Sequence, residues 1–329
     1  MTNERNGPEL SIVIPAYNEE KQLSHTLEIV ALHAELASSR YEIVVVDDGS
    51  SDNTWDVLQQ CSKRIRGVRG LRLSRNFGKE TALCAGLEDA LGSAVIVMDA
   101  DLQHPPELIE TMVRMWRSDG GIDIVEGVKR VRGNEPVVKR IGAKTFYGAL
   151  TRLTGHRFEG ASDYKLLDRK VVDAWKRLPE RTTFFRGMIV WLGFHTAKVE
   201  FDVPPRSGGQ TRWGFLALAR LALNAIIAYS AVPLRLIGVV GLLFMVGAFG
   251  LGVQTLVRKW TGGAVTGFTT VILLLLVIGS AVMISLSTIG EYVAAIYNEV
   301  KGRPRYLIRE RAGQETEGNG FALTGGRHA

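Results

Sequence analysis

The sequence predicts an α/β domain built on a mostly parallel sheet, followed by two membrane-crossing helices. Three observations carry that expectation. Short β-branched runs alternate with helical patterns through the first half, and carboxylates follow several of those runs directly. Two long charge-free apolar runs, Leu236–Val257 and Trp260–Gly290, occupy much of the last third. Each exceeds the roughly 20 residues that a helix needs to cross hydrocarbon.

Leu10–Ile14 reads as a strand ended by Pro15, and Leu23, Leu27, Val30, Ala31 and Ala34 then recur at helical spacing. Tyr41–Val46 is a second strand running into Asp47-Asp48-Gly49-Ser50. A helix from about Asp52 to Ile65, a short strand Val68–Leu71, a helix Gly78–Leu91 and a strand Ala94–Met98 follow. Such alternation calls for parallel strands covered by helices. Ligands of these sheets lie beyond the carboxyl ends of the strands, the edge that Asp48 and Asp99 reach.

Beyond it, Ile122–Val128 reads as a strand, Pro136–Leu150 as an amphipathic helix with proline in its first turn, and Thr182–Trp191 as a helix. Phe194–Val203 is a strand closed by Pro204-Pro205, and Arg206–Arg212 a polar, glycine-containing loop. Trp213–Tyr229 mixes large apolar residues with Arg220 and Asn224, as expected of a helix lying in the membrane interface. The expected organisation is a cytosolic domain over 1–212, the interfacial helix over 213–231, and membrane helices over 232–257 and 265–290. A cytosolic basic segment with a disordered tail completes it over 291–329.

The formal charge of +6 is unevenly spread. Arg206, Arg212, Arg220 and Arg235 precede the first apolar run; Lys301, Arg303, Arg305, Arg309 and Arg311 follow the second; only Arg258 and Lys259 lie between. The positive-inside rule puts both flanks in the cytoplasm. With no apolar stretch near Met1 to act as a signal peptide, the expected location is the inner (plasma) membrane, multi-pass. Basic residues gathered beside apolar runs suit a membrane surface better than nucleic acid. Cys61 and Cys84 are too few and too far from any His cluster for a zinc site, and are expected reduced and inert.

Asp99-Ala100-Asp101 after a strand suits a hard divalent cation, Mg²⁺ or Mn²⁺, held together with a nucleotide diphosphate. Strand-end aspartates can equally cap the next helix or hold a turn. Asp48-Gly49-Ser50 reads either as a turn or as a carboxylate contacting a base or ribose. Pro15-Ala16-Tyr17-Asn18-Glu19 lies at the same edge, where Tyr17 could contact a base. Lys129, Arg130 and Arg132 suit phosphates or a solvated face. Asp163, among small residues in Gly160–Tyr164, is a candidate general base or an ordinary loop residue. His104 and His195 read as structural.

Taken together, Ser11–Glu20, Val46–Asp52 and Asp99-Ala100-Asp101-Leu102-Gln103 strongly resemble the family 2 glycosyltransferases of the GT-A (Rossmann-like) fold. Ser74–Glu80, Asp163–Arg169 and the two apolar runs narrow the resemblance to polyprenyl-phosphate glycosyltransferases, the bactoprenol glucosyltransferase branch related to dolichol-phosphate mannose synthases. It covers nearly the whole chain to about Arg309.

The resemblance implies an inverting transfer from a nucleotide sugar, UDP-glucose favoured, to undecaprenyl phosphate at the cytosolic leaflet. Pro15, Tyr17, Glu19 and Asp48 would frame the nucleotide; Asp99 and Asp101 would bind it with the metal, Asp101 also serving catalysis; Gln103 would support sugar or cation. Asp163 matches the position of the catalytic base, although an ionised polyprenyl phosphate has little need of one. Arg130 and Arg132 match positions near phosphates, and Arg206 and Arg212 lie on a loop that closes over the donor or the lipid phosphate. A downstream flippase or membrane glycosyltransferase would take the product. The glycines of the apolar runs permit a homo-oligomer, which the resemblance extends to a tetramer.

Several alternatives stay open: GDP-mannose or another nucleotide-sugar donor, a diacylglycerol acceptor, or a nonenzymatic membrane scaffold. A processive polymerase is disfavoured, because Gln210-Thr211-Arg212-Trp213 puts its arginine one place early for a QxxRW-like motif.

Overall fold

The computed structural model describes residues 7–118, 121–130, 163–178, 185–202, 232–261 and 268–313. Its first compact unit combines the N-terminal two-thirds of the chain with residues from Arg303 onward. Leu10–Ala16 (β1), Tyr41–Asp47 (β2), Val68–Leu73 (β3) and Ala94–Val97 (β4) alternate with Leu23–Ala37 (α1), Thr54–Arg64 (α2) and Lys79–Asp89 (α3). Leu108–Ser118 (α4), Ile124–Lys129 (β5), Lys165–Asp168 (β6), Arg169–Lys176 (α5), Phe185–Trp191 (α6) and Thr196–Phe201 (β7) follow.

All these strands, with Ile308–Ala312 (β8), form one eight-stranded sheet in the order β7-β5-β6-β4-β1-β2-β3-β8. Pairings β4-β1-β2-β3 are parallel, as the alternating pattern predicts. Side chains alternate across the sheet. Ile12, Ile14, Ile43 and Val45 pack with Leu27, Leu58, Ile109 and Met112 on one face. Val13, Val44, Val46 and Val97 pack with Leu83, Leu87, Val172, Trp175 and Met188 on the other. Both faces are therefore covered, which is why these strands are apolar at successive positions. Gly86 lets α3 sit against the sheet, since a Cβ there would fall 2.3 Å from Val13 Cγ1.

β6 runs antiparallel to both neighbours, β4 and β5. Its amino end therefore lies beside the carboxyl end of β4. The register pairs Val97 with Lys165, and two further residues along each chain bring Asp99 opposite Asp163. This reversal joins the two carboxylates at one edge.

β8 was not expected. The basic segment after the last apolar run returns as an antiparallel edge strand on β3, pairing Arg72 with Glu310. Glu310 accepts hydrogen bonds from Trp55 Nε1 (3.0 Å) and Arg72 Nη1 (3.1 Å), and Arg311 Nη1 reaches Asp89 at 2.7 Å. Charges read from sequence as facing a membrane surface thus include several tied into the sheet unit.

The second unit contains two long helices, Val232–Trp260 (α7) and Phe268–Val300 (α8). The first continues past Val257, so Arg258 and Lys259 belong to its last turn instead of a link. The second continues past Gly290 to Val300. Among the described residues, one stretch, Val277–Tyr297, is long and apolar enough to cross a membrane; the apolar stretch of α7, Ile237–Leu251, is shorter. The expectation of two spans is thereby narrowed to one that meets both length and composition. Within α8 the hydroxyls of Ser285 and Thr288 donate to the carbonyls of Ala281 and Ile284, which satisfies them without an outside partner.

The expected helices Pro136–Leu150 and 213–231 and the loop Arg206–Arg212 lie outside the described residues, as do Arg132, Arg206 and Arg212 themselves.

Candidate active site

Two loops at the carboxyl edge of the sheet are joined by hydrogen bonds. The Asn18 backbone N–H donates to Ser50 Oγ (2.9 Å), that of Glu19 to Thr54 Oγ1 (2.8 Å), and that of Ser51 to Asn18 Oδ1 (2.9 Å). Asn18 takes a positive φ of 57°, which asparagine tolerates better than most residues. The resulting ledge carries Pro15, Tyr17, Glu19 and Asp48 together, and Tyr17 is exposed on it.

Asp48 is buried and committed. Its Oδ1 accepts from the backbone N–H of Phe77 and its Oδ2 from that of Gly78, both at 2.8 Å. Burial raises its pKa despite those two bonds. Its carboxylate is a clamp on the loop that carries Lys79. Gly49 makes the clamp possible: its φ is +67°, and a Cβ would fall 2.4 Å from the Arg75 carbonyl carbon.

From that loop, Lys79 Nζ reaches Asp99 Oδ1 at 2.6 Å and Asp163 Oδ2 at 2.7 Å. Burial works against its charge, but Asp99 and Asp163 outweigh it and raise the lysine pKa. Arg186, in the first turn of α6, grips Asp163 from the other side, Nε to Oδ1 at 2.6 Å and Nη2 to Oδ2 at 3.0 Å. Burial opposes ionisation of Asp163, yet the arginine and lysine prevail and hold its carboxyl far below the usual range. Glu80 accepts from the Phe185 N–H at 2.7 Å, so the residue after Lys79 anchors the residue before Arg186. Burial, first among several influences, raises the Glu80 pKa.

The Asp99–Asp101 turn is held from beneath. The Asp99 N–H donates to His104 Nδ1 at 3.0 Å, and the imidazole stacks on Tyr164 with ring centroids 4.8 Å apart. The Tyr164 hydroxyl donates to the Pro105 carbonyl at 2.9 Å. Burial lowers the His104 pKa, the direction that suits a neutral ring accepting a hydrogen bond. His104 is thus structural, as read from sequence. Asp101 is exposed, and its Oδ1 accepts from the Gln103 N–H at 3.1 Å.

Asp99 and Asp101 offer hard oxygen donors, and the lysine ammonium against Asp99 marks a position that takes positive charge. Among the described residues, no three His, Cys, Asp or Glu side chains are grouped to hold a metal. Two carboxylates are a partial donor set, of the oxygen type that a hard divalent cation takes when its other ligands are phosphates and water. Burial chiefly, with Asp101, Asp52 and Asp99 adding repulsion, raises the Glu19 pKa against the bond from Gln22. That puts Glu19 within the field of the same acidic group.

Of the other expected residues, Arg130 lies on the rim, 59% exposed, with Nε 3.2 Å from Glu200 and Nη1 3.9 Å from Asp202. Lys79, Glu80 and Arg186 were not among the sequence candidates. Ser74–Glu80 carried a signal, a lysine after glycine at a helix start between two acidic strand ends. Arg186 carried none, being one arginine in an ordinary helical pattern.

The glycosyl transferase family 2 pattern matches residues 11–175. An uncharacterized glycosyltransferase of Synechocystis sp. is 42% identical, the match covering 93% of this chain and 96% of that protein. The prophage bactoprenol glucosyl transferase homolog of Escherichia coli is 34% identical over 91% of this chain and 98% of its own length. The bactoprenol glucosyl transferase of Shigella phage SfX is 35% identical over 92% and 99%. In fold, the chain resembles Mycobacterium tuberculosis glucosyl-3-phosphoglycerate synthase, solved with Mn²⁺, UDP and glucosyl-3-phosphoglycerate, at a TM-score of 0.50 and 21% identity over 67% of this chain and 78% of that one. With its carboxylates gathered at the carboxyl edge of a GT-A-like sheet, the chain belongs to glycosyl transferase family 2.

Proposed function

We propose that the protein transfers glucose from UDP-glucose to undecaprenyl phosphate at the cytosolic face of the membrane, with inversion at the anomeric carbon. The observation that carries the substrate class is near-full-length similarity to bactoprenol glucosyl transferases. The site chemistry supports an anionic acceptor. A hydroxyl acceptor such as diacylglycerol needs a base to take its proton, and Asp163, ion-paired to Lys79 and Arg186, is a weak one. A polyprenyl phosphate is already ionised. Asp163 then serves as a fixed anion that positions the two cations near the reacting phosphates.

In this reading Tyr17, Glu19 and Asp48 frame the nucleotide, with Pro15 shaping the ledge and Gln103 supporting the sugar. Asp99 and Asp101 hold Mg²⁺ or Mn²⁺, which supplies charge stabilisation to the departing diphosphate. Alignment of the phosphate oxygen behind the anomeric carbon supplies much of the remaining rate. Arg130, with Arg132, Arg206 and Arg212, takes the phosphate side of donor or acceptor.

The second unit supports membrane residence. Exposed Leu243, Phe249, Met283, Ile284 and Ile296 line α7 and α8. α7 is 29 residues long and α8 is 33, so each is long enough at about 1.5 Å per residue to span the bilayer. We assign both to the inner membrane with cytoplasmic ends, and assign the lipid product to a flippase. A homo-oligomer is part of this proposal.

The test incubates purified protein with Mn²⁺ or Mg²⁺, undecaprenyl phosphate and a panel of nucleotide sugars, with mass spectrometry of the lipid fraction. Metal-dependent glucosyl-phosphoryl-undecaprenol, lost in Asp99→Asn, is the expected result. Product from GDP-mannose alone would correct the donor, and absence of product from folded protein with every donor would sink the acceptor assignment.

A further inference from the structure

Among the described residues, Lys79 is the cation placed between the two acidic positions of the site. Its ammonium lies 2.6 Å from Asp99 and 2.7 Å from Asp163, on a loop whose backbone is clamped by Asp48. Asp163 keeps a second cation, the bidentate Arg186, whereas Asp99 Oδ1 has Lys79. The two ion pairs of Lys79 are therefore unequal in consequence. Among the described residues, loss of the ammonium leaves Asp163 paired to Arg186 and Asp99 without a cation.

We propose that Lys79 is an internal counter-cation that competes with the divalent ion for Asp99, releasing that carboxylate when metal and nucleotide diphosphate enter together. This rests on the reading of Asp99 as a metal ligand. A divalent ion held by Asp99 would stand close to the ammonium on Oδ1, and the two cations would repel. Lys79 swings off Asp99 while its stem remains fixed at the start of α3, and a diphosphate brought in by the nucleotide receives the freed charge. Metal binding to the nucleotide-free protein is consequently weak, and metal and UDP bind cooperatively. Coupling of this kind is reciprocal: whatever UDP adds to metal affinity, metal adds to UDP affinity.

The experiment is a Mn²⁺ titration of the full-length protein by electron paramagnetic resonance, with and without UDP, on wild type, Lys79→Gln, Lys79→Arg and Asp99→Asn. Without UDP, Lys79→Gln is expected to bind Mn²⁺ about tenfold tighter than wild type, a change of about 1.4 kcal/mol. Lys79→Arg, keeping the charge, stays near wild type, and the UDP-induced gain shrinks in Lys79→Gln. Unchanged or weaker Mn²⁺ binding by Lys79→Gln, with binding lost in Asp99→Asn, would overturn the competition and leave the metal site standing. Wild-type binding by Asp99→Asn would remove the metal reading and the competition with it.

Discussion

Arg186 holds Asp163 in a two-pronged ion pair, Nε on Oδ1 at 2.6 Å and Nη2 on Oδ2 at 3.0 Å. The pair explains how a buried carboxylate at the sheet edge stays ionised, and it supports the proposed reading of Asp163 as a fixed anion.

The pH dependence follows from the sign of that shift. The folded-state pKa of Asp163 lies below its ordinary value of 3.8, so the stability it contributes is fully present above that value. It is lost progressively as pH falls from there through the much lower folded-state pKa. Asp163→Asn should lower stability near neutral pH by on the order of 3 kcal/mol, as expected for breaking a largely buried pair. Thermal melts of the two proteins should begin to converge below about pH 4 and continue to do so as pH falls further. Between about pH 5 and pH 8 the wild-type kcat should show no acid limb belonging to Asp163; a limb that vanishes in Asp163→Asn would restore the general base.

Asp48 answers two backbone N–H groups, so Asp48→Ala leaves both without an acceptor. At about 1–3 kcal/mol for each orphaned donor, and toward the lower end because both are only part-buried, a loss of roughly 2–4 kcal/mol is expected. Because Lys79 rides on the freed loop, the KM for the nucleotide sugar should rise as well. Denaturant unfolding and donor kinetics read the two effects separately, and a donor defect without destabilisation would argue for direct nucleotide contact.

Gly49 and Gly193 provide a matched pair. Both have positive φ, +67° and +69°, but only Gly49 is crowded by backbone: a Cβ there would stand 2.7 Å from Arg75 Cα, whereas at Gly193 the nearest atom would be 4.0 Å away. Gly193→Ala should cost about 1–2 kcal/mol from conformation alone. Gly49→Ala should cost clearly more, since backbone must move as well. Equal melting temperatures for the two variants would refute the close-approach argument.

The returning strand predicts that the catalytic unit needs residues beyond the long helices. Glu310→Ala removes the acceptor of Trp55 Nε1 and Arg72 Nη1, a loss of about 1–3 kcal/mol. Arg309→Ala, at an exposed site, should stay within about 0.5 kcal/mol of wild type. A chain ending after Gly302 should melt well below either, because β3 becomes an edge. A truncated chain as stable as wild type would show β8 to be dispensable.

Local pattern carried much of this protein. β-branched runs broken by helical spacing specify a parallel sheet with both faces covered, and an aspartate after such a run must emerge at the carboxyl edge. Asp48 and Asp99 were legible for that reason, as was the apolar character of the last third. Lys79, 84 positions from Asp163, and Arg186, 23 positions away, are joined to it by no sequence period. Their meeting depends on β6 running against β4, and a strand's direction within the sheet is set by the path of the whole chain. The same holds for β8: its alternating charges read as a solvated basic segment until Arg72, Trp55 and Asp89 are brought alongside. Sequence periodicity thus determined which groups reach the sheet edge, while tertiary pairing alone decided which opposite charges meet there, because Coulomb attraction and hydrogen bonding act over ångströms and not along the chain.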